Sequence, residues 1–257
     1  MDRVLIACPT YEGMEYCFRE FIEKLRDLDY ENHKIVIFDN TRTKGFFRKI
    51  RKIFLDIKVI YDDTKEKENM KRLISSRNKI LDYAIEKNFD YILMLDNDVM
   101  VPKHLLKTLL SFNKDVVSGL YYCPFRRQGK LVSLPVAYKA ISQKEFDMLK
   151  EKGKLPKYAE KIEHVMRHLN KKELQQPLVE VFAPSGGCLL LSRKAFTSGA
   201  RYGREDFPKE IHPTDDIYFF NRLRERGFRL YCCPKLLCKH VIGGKYAGNK
   251  GIHPLTN

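Results

Sequence analysis

An apolar run of strand length, Tyr91–Leu95, ends abruptly at Asp96-Asn97-Asp98. Consecutive apolar residues without alternation are typical of a strand that is buried on both faces, as in a parallel sheet. Ligands of open α/β sheets bind outside the carboxyl ends of such strands, and both acids stand at that end. This stretch therefore predicts a parallel sheet whose carboxyl edge carries polar side chains.

The two carboxylates require a counter-charge. If the chain stays extended, Asp96 and Asp98 face the same way, about 6–7 Å apart. At an effective dielectric constant of about 20, two such anions repel by roughly 2–3 kcal/mol. A hard divalent metal that holds a phosphorylated ligand is the expected counter-charge. The alternative is a pair of solvated turn residues after a strand.

Composition bounds the class of protein. The 257 residues suit one large α/β fold, and a hydrophobic content of 44% allows a sizeable core. No apolar run approaches bilayer length, and we expect no signal peptide. Seven cysteines, several of them in apolar contexts, indicate reduced thiols and a cytoplasmic protein. The net charge of +15 favours anionic partners and does not bear on the fold.

Strands and helices alternate along the first half, which predicts a mostly parallel central sheet with helices on both faces. The expected strands of this half are 3–8, 34–38, 57–61, 91–95 and 116–122, and the expected helices are 15–28, 66–87 and one that begins at Pro102. In the second half we expect strands at 131–138, 179–182, 188–191, 228–233 and 236–241, and helices at 143–152, 157–174 and 214–226.

Polar residues follow three of the predicted strands. Thr10-Tyr11-Glu12 follows the first strand, Asp39-Asn40 the second and Asp96-Asn97-Asp98 the fourth. In a parallel sheet these ends share one edge, so they can line a single cleft. There Tyr11 can stack on a base, Asp39 can accept from a base N–H, and Asp96 can accept from ribose hydroxyls. The alternative is ordinary turn chemistry, which favours the same residue types.

Further polar positions stand outside these strand ends. Arg77 lies in a polar patch of a predicted helix, where it contacts a ligand or is solvated. The pair Gly186-Gly187 precedes an apolar strand and allows close approach to a ligand, or forms only a tight turn. Asp215 and Asp216 open a helix, where acids complement the helix dipole; the functional alternative is that Asp216 acts as a general base.

His240, at the end of the last predicted strand, is a candidate ligand for a metal at Asp98. The nearby Cys232, Cys233 and Cys238 invite a zinc interpretation, but their spacing fits no common zinc site, and neighbouring strand residues point to opposite faces.

The segment 44–54 has an amphipathic pattern. Phe46, Phe47, Ile50, Ile53 and Phe54 share one helical face, while Lys and Arg occupy the other. This pattern is typical of a helix that lies on an anionic membrane. The alternative is a surface helix that packs its apolar face on the core. Nothing in the segment matches a nucleic-acid-binding motif.

Taken in order, these motifs resemble the nucleotide-sugar-dependent glycosyltransferases of family 2, which have the GT-A fold. The resemblance rests on Pro9-Thr10-Tyr11, Asp39, Arg77-Asn78, Asp96-Asn97-Asp98, Gly186-Gly187 with 189–196, Asp215-Asp216 with 222–227, and His240. The region 125–180 matches less well. The family often has Glu-Asp where this chain has Asp215-Asp216.

The resemblance implies a single GT-A-like α/β domain over 1–257, with a nucleotide-sugar-binding half (1–100) and an acceptor-binding, catalytic half (101–257) that includes a less regular helical segment at about 139–176. It implies the following site residues: Thr10, Tyr11, Glu12, Asp39, Arg77, Asp96 and Asn97 for the nucleotide; Gly186 and Gly187 for the donor or acceptor sugar; Asp98, His240 and Asp96 for Mn²⁺ or Mg²⁺; and Asp216 as base beside Asp215.

The activity so implied is metal-dependent, inverting transfer of a sugar from a UDP- or GDP-linked donor to an acceptor hydroxyl. The expected acceptor is a glycan, lipid-linked or a small molecule, with peripheral contact to the cytoplasmic face of an anionic membrane and no nucleic-acid partner. One alternative is a sugar-phosphate nucleotidyltransferase, although residues 9–13 lack the Gly-rich, Arg-containing loop of that class. The other is a non-enzymatic basic protein that binds nucleic acid or membrane surfaces.

Overall fold

The computed structural model describes residues 1–127, 129–155, 159, 161–162, 165–204 and 214–246. Its strands are β1 (Val4–Thr10), β2 (His33–Asp39), β3 (Lys58–Tyr61), β4 (Tyr91–Leu95), β5 (Val99–Met100), β6 (Val116–Leu120), β7 (Tyr122–Arg127), β8 (Lys130–Pro135), β9 (Tyr138–Ala140), β10 (Met166–His168), β11 (Val179–Val181), β12 (Cys188–Ser192), β13 (Leu230–Leu237), β14 (Lys239–Ile242) and β15 (Lys245–Tyr246). Its helices are α1 (Glu15–Arg26), α2 (Lys44–Ile53), α3 (Asn69–Glu86), α4 (Leu105–Ser111), α5 (Gln143–Glu151), α6 (Lys171–Leu174), α7 (Arg193–Phe196) and α8 (Asp215–Glu225).

The described ranges form a central sheet of eight strands in the order β11-β13-β6-β12-β4-β1-β2-β3. β4, β1, β2 and β3 are parallel neighbours, and β13 is parallel to β6. β12 lies antiparallel between β4 and β6, and β11 is antiparallel to β13. The predicted α/β class with a mostly parallel sheet is therefore confirmed.

Helices cover both faces of the sheet, as the alternating pattern predicts. On one face α1, α2 and α4 pack on inward residues of β1 such as Val4 and Ile6. On the other face α3, α7 and α8 pack on the intervening residues Leu5 and Ala7. Side chains alternate along a strand, so every residue of β1 is buried. β4, in the middle of the sheet, is likewise buried on both faces, as its sequence predicts.

Two predictions for the second half are wrong in detail. The strand expected over 131–138 is two strands, because β8 pairs with β7 while β9 pairs with β10. The helix expected over 157–174 is contradicted by β10, and among the described residues of that range only α6 is an α-helix. Residues 157, 158, 160, 163 and 164 of that expected helix lie outside the described residues.

Two boundaries also differ. The strands expected at 228–233 and 236–241 are instead β13, which continues through Pro234 with a change of register after Cys232, and β14. The helix expected to begin at Pro102 begins at Leu105, whose N–H donates to the Pro102 carbonyl at 3.0 Å.

The apolar face of α2 belongs to the core. Phe46 and Ile50 are buried, as is Phe54 just after the helix, and Phe18 of α1 makes edge-to-face contacts with both phenylalanines. Most of the apolar face that the sequence suggested for membrane contact is therefore buried in the protein and cannot contact a bilayer. The core-packed alternative is the correct one for these residues.

No helix in the described part of the chain is long and apolar enough to cross a membrane. All seven cysteines carry free thiols, and all but Cys123 are buried. Cys188 and Cys238 lie close together, with their sulfur atoms 3.6 Å apart.

Candidate active site

The carboxyl ends of β4, β1 and β2 form one wall of a cleft of about 290 Å³. Its lining residues are Pro9, Thr10, Tyr11, Met14, Asn40, Asn69, Met70, Leu73, Asp96, Asn97 and Asp98. The structure thus brings together the three strand ends that the sequence singled out. Tyr11 stands half exposed at the cleft, while the Asn97 amide donates to the Thr10 hydroxyl at 3.1 Å and ties β1 to the loop after β4.

The segment Asp96-Asn97-Asp98 is a turn, and the extended geometry expected for it is wrong. The N–H of Val99 donates to the Asp96 carbonyl at 3.0 Å and closes the turn. The two carboxylates consequently meet different partners. Asp96 accepts from Arg77 at 2.7 Å, and Asp98 lies 3.2 Å from the His240 ring. The counter-charge at Asp96 is a protein guanidinium.

Arg77, on α3, connects the carboxylates on this side of the cleft. Its side chain is only 2% exposed, and its guanidinium contacts Asp96, Asp215 and Asp216. The contact with Asp215 is 2.8 Å. Burial alone lowers the pKa of Arg77, but the three carboxylates outweigh burial and raise it, so the group stays cationic. The sequence suggested a nucleotide contact for Arg77; the structure places it among the acids.

Asp215 and Asp216 occupy the first turn of α8, where Thr214 is the N-cap and accepts from the Ile217 N–H. Burial raises the pKa of Asp215. Burial, together with the nearby negative charges of Asp215 and Asp96, raises the pKa of Asp216 to about 7 although Arg77 opposes the shift. A carboxylate with a pKa near neutrality can exchange a proton with a substrate hydroxyl.

The two glycines that precede β12 make room for these acids. A Cβ on Gly186 would collide with the Asp216 carboxyl group. A Cβ on Gly187 would lie 2.8 Å from Asp96 and 3.0 Å from the Tyr121 hydroxyl. Neither glycine has a positive φ, so close approach rather than backbone conformation explains them. A tight turn alone therefore does not account for these glycines, because each lies against a candidate site residue, Asp216 or Asp96.

His240 lies beside Asp98, as the sequence suggested. β14, which carries His240, pairs with β5 directly after the Asp98 turn. The second ring nitrogen of His240 lies 3.0 Å from the Cys123 sulfur. Burial lowers the pKa of His240, but its contacts with Asp98 and Cys123 outweigh burial and raise the pKa to about 10. Among the described residues there is no preformed cluster of three or more His, Cys, Asp or Glu for a metal.

Asp39 is fully buried at the end of β2. One carboxyl oxygen accepts from the N–H and hydroxyl of Thr41, at 3.0 and 2.6 Å. The other has no hydrogen-bond partner in the described part of the chain. Burial raises the pKa of Asp39, and the Thr41 bonds only partly offset this. This free oxygen is buried, and Asp39 is not among the residues that line the cleft. Glu12, by contrast, is exposed and contributes only its backbone N–H, to Thr41.

The sequence interpretation missed several residues of the site. Met14, Met70 and Leu73 supply an apolar wall of the cleft, and nothing local in the sequence marks them. Tyr121 directly follows β6 and accepts the Gly187 N–H at 3.3 Å. The strand-end rule applied to β6 finds Tyr121, since that strand is parallel to β4 through the intervening β12.

Residues 6–199 match the family described as glycosyl transferase family 2. The chain belongs to this family. The match covers most of the 257 residues and favours a glycosyltransferase over the nucleotidyltransferase that the sequence left open. A comparison with curated protein sequences finds no match.

Solved structures of similar fold include S. aureus TarS. The full TarS crystal structure has 14% sequence identity and a TM-score of 0.51, over 90% of this chain and 35% of TarS. TarS 1-349 in complex with UDP-GlcNAc has 14% identity and a TM-score of 0.54, over 92% of this chain and 57% of that one. The present chain therefore corresponds to only about a third of the first TarS chain and somewhat more than half of the second. The likeness confirms the GT-A-like fold.

Proposed function

We propose that the protein transfers a sugar from a nucleoside-diphosphate sugar to an acceptor hydroxyl, with inversion and with Asp216 as the base. The observation that carries this proposal is the Arg77 bridge between Asp216, in the first turn of α8, and Asp96. Asp96 lines the cleft at the carboxyl edge of the sheet, while Asp216 is not among the residues that line it. A donor in the cleft would therefore lie one guanidinium away from a carboxylate that can take a proton. Membership of family 2 supports the reaction class.

The nucleoside would occupy the wall formed by β1 and β2. Tyr11 offers a ring for the base. The unpaired oxygen of Asp39 would accept a base N–H once the bound nucleoside opens a path to it, because Asp39 is buried beside the cleft residue Asn40. Thr10 and Asn97 shape the same wall, and Asp96 would face the ribose. Both uracil and guanine present a ring N–H, so UDP- and GDP-linked donors are consistent with this wall. The UDP-GlcNAc bound to TarS makes a uridine donor the first to test.

The residues of this chain perform the transfer as follows. Asp216, ionised, accepts the proton of the acceptor hydroxyl as that oxygen attacks the anomeric carbon from the face opposite the leaving group. Arg77 holds the carboxylates of Asp216 and Asp96 in one orientation. Gly186 and Gly187, without side chains, leave the space that these carboxylates occupy, and the sugar would lie against this stretch of backbone.

A divalent metal fits the residues at Asp98. The Asp98 carboxylate lines the cleft and suits Mn²⁺ or Mg²⁺. The His240 imidazole would join it as a ligand only after losing the proton that its pKa of about 10 retains at neutral pH. Asp98 and His240 would hold the ion, with Asp96 nearby and the donor diphosphate completing its ligands. When bound, such an ion neutralises charge on the leaving diphosphate.

The acceptor would be a glycan, lipid-linked or not, or a small molecule. A cytoplasmic location, with no nucleic-acid partner, is part of the proposal and is supported by the free buried thiols.

A thermal-shift panel of nucleoside diphosphates and nucleotide sugars, with and without Mn²⁺, tests donor binding. We expect one nucleotide to raise the Tm, more strongly with Mn²⁺, and Asp98→Asn to remove the metal-dependent part. Asp216→Asn should keep the nucleotide shift but lose sugar transfer. Normal turnover by Asp216→Asn would overturn the assigned base, and the absence of any nucleotide shift would overturn the proposed donor.

A further inference from the structure

The outward face of α2 is a cationic stripe. Lys44, Arg48 and Arg51 recur at the three- and four-residue spacing that places side chains on one helical face, and Lys52 lies beside them. All four side chains are exposed. The opposite face packs on α1 through Phe46 and Ile50, so the stripe points away from the core.

No carboxylate of the described residues neutralises this stripe. Lys44 lies 5.3 Å from the ring of Tyr61, and Arg51 lies 5.3 Å from the ring of Phe47. Residues 42–58 contain seven Lys and Arg and one acid, Asp56. That acid is already paired with Arg26 of α1. The surface therefore keeps its positive charge for an external partner.

An exposed apolar side chain follows α2 directly. Leu55 is 86% exposed, although Phe46 and Ile50 of the helix and Phe54 after it are buried. A polyanion such as a nucleic acid offers phosphates but little apolar environment for Leu55. An anionic bilayer offers both, because its phosphates lie directly above hydrocarbon.

A depression with charges of both signs adjoins α2. Arg42, Lys65 and Lys67 line this depression of about 410 Å³ near the start of the helix, together with Asp63 and Glu66. Asn40, a few residues before α2, lines the donor cleft. The cationic surface thus begins next to the cleft and extends away from it along α2.

We propose that the α2 basic surface, made of Lys44, Arg48, Arg51 and Lys52 with Leu55, docks the protein on an anionic phospholipid bilayer. Cations near such a surface are attracted by its negative potential, while Leu55 enters the boundary between headgroups and chains. This contact involves no residue of the donor cleft, so it stands or falls independently of the proposed glycosyl transfer.

The test is vesicle co-sedimentation of the full chain, without donor, on phosphatidylcholine vesicles with and without about 30% phosphatidylglycerol. We expect binding only to the anionic vesicles, and weaker binding at high salt. The triple variant R48Q/R51Q/K52Q should bind on the order of 100-fold more weakly, since each charge near the surface contributes about fivefold. Leu55→Ser should weaken vesicle binding several-fold.

The matched control K144Q/K150Q/K152Q removes the same charge from exposed positions on and next to α5 and should bind like the wild type. Equal losses in both triple variants would show that net charge alone is responsible and would overturn the proposal. Binding to DNA with no binding to anionic vesicles would overturn it as well. Far-UV circular dichroism and the nucleotide thermal shift verify that each variant is folded.

Discussion

At the scale of single residues, one guanidinium faces three carboxylates. Arg77 contacts Asp96, Asp215 and Asp216, so the ionised cluster keeps an excess of negative charge in a largely buried place. Protonation of one acid relieves that excess. This explains why Asp216 has a raised pKa even though it touches a cation.

The pH dependence of transfer should report this cluster. A base with a pKa of about 7 is ionised only above that pH. We therefore expect kcat/KM to fall about tenfold per pH unit below about pH 7. Asp215→Asn removes one neighbouring negative charge and should shift this acid limb to lower pH. The exposed Asp147→Asn is the control and should leave the limb in place; an unmoved limb in Asp215→Asn contradicts the argument.

Removing Arg77 should be costly for stability. Arg77→Met leaves three carboxylates facing one another without a cation, and breaking a buried ion pair costs about 3–5 kcal/mol. Urea unfolding measures the loss. The double variant R77M/D215N should recover part of it, since one uncompensated charge is gone. Arg201→Met, which breaks the exposed pair with Asp82, should cost under about 1 kcal/mol.

At the scale of elements, the sequence predicts the sheet strands and the helices that cover them well where the hydrophobic periodicity matches the burial in the structure. β4 is apolar throughout because it is buried on both faces. α8 ends at Glu225, and Gly227 two residues later adopts a φ of +82°, which terminates the helical path. The region around β10 was mispredicted, because its apolar residues fit a helical period and only pairing with β9 decides otherwise.

The same limit applies to the site. The strand-end rule located the polar residues of β1, β2 and β4, because parallel strands bring their carboxyl ends to one edge. It could not show that the chain turns after Asp96, which gives Asp96 and Asp98 separate partners. Nor could it pair Arg77 with Asp215, which lies 138 residues further along the chain. Such contacts depend on the packing of α3 against α8.

The end of α8 provides a prediction for one element. The N–H groups of Gly227 and Phe228 donate to the carbonyls of Arg224 and Leu223, and Gly227 takes the left-handed conformation. Gly227→Ala should destabilise the protein by about 1–2 kcal/mol, since a Cβ disfavours that conformation. Gly227→Asn should cost less. Urea unfolding checks both, and an unchanged midpoint in Gly227→Ala would contradict the cap.

At the scale of the whole molecule, the two halves of the chain are interleaved. β12 comes from the second half and inserts between β4 and β6, pairing with β4 along its whole length. α3 of the first half packs with α7 and α8 of the second in one apolar cluster. The nucleotide half expected from the sequence therefore depends on the other half for one edge and one face of its sheet.

A fragment of residues 1–104 should consequently fail to fold. It would leave β4 as an open edge, remove α7 and α8 from the apolar cluster that covers Leu5 and Ala7, and leave Arg77 without Asp215 and Asp216. An exposed, long apolar edge strand promotes aggregation. We expect the fragment to be insoluble or to lack near-UV circular dichroism, while the full chain unfolds in one cooperative transition. A soluble fragment that binds a nucleotide would show instead that the first half is an independent domain.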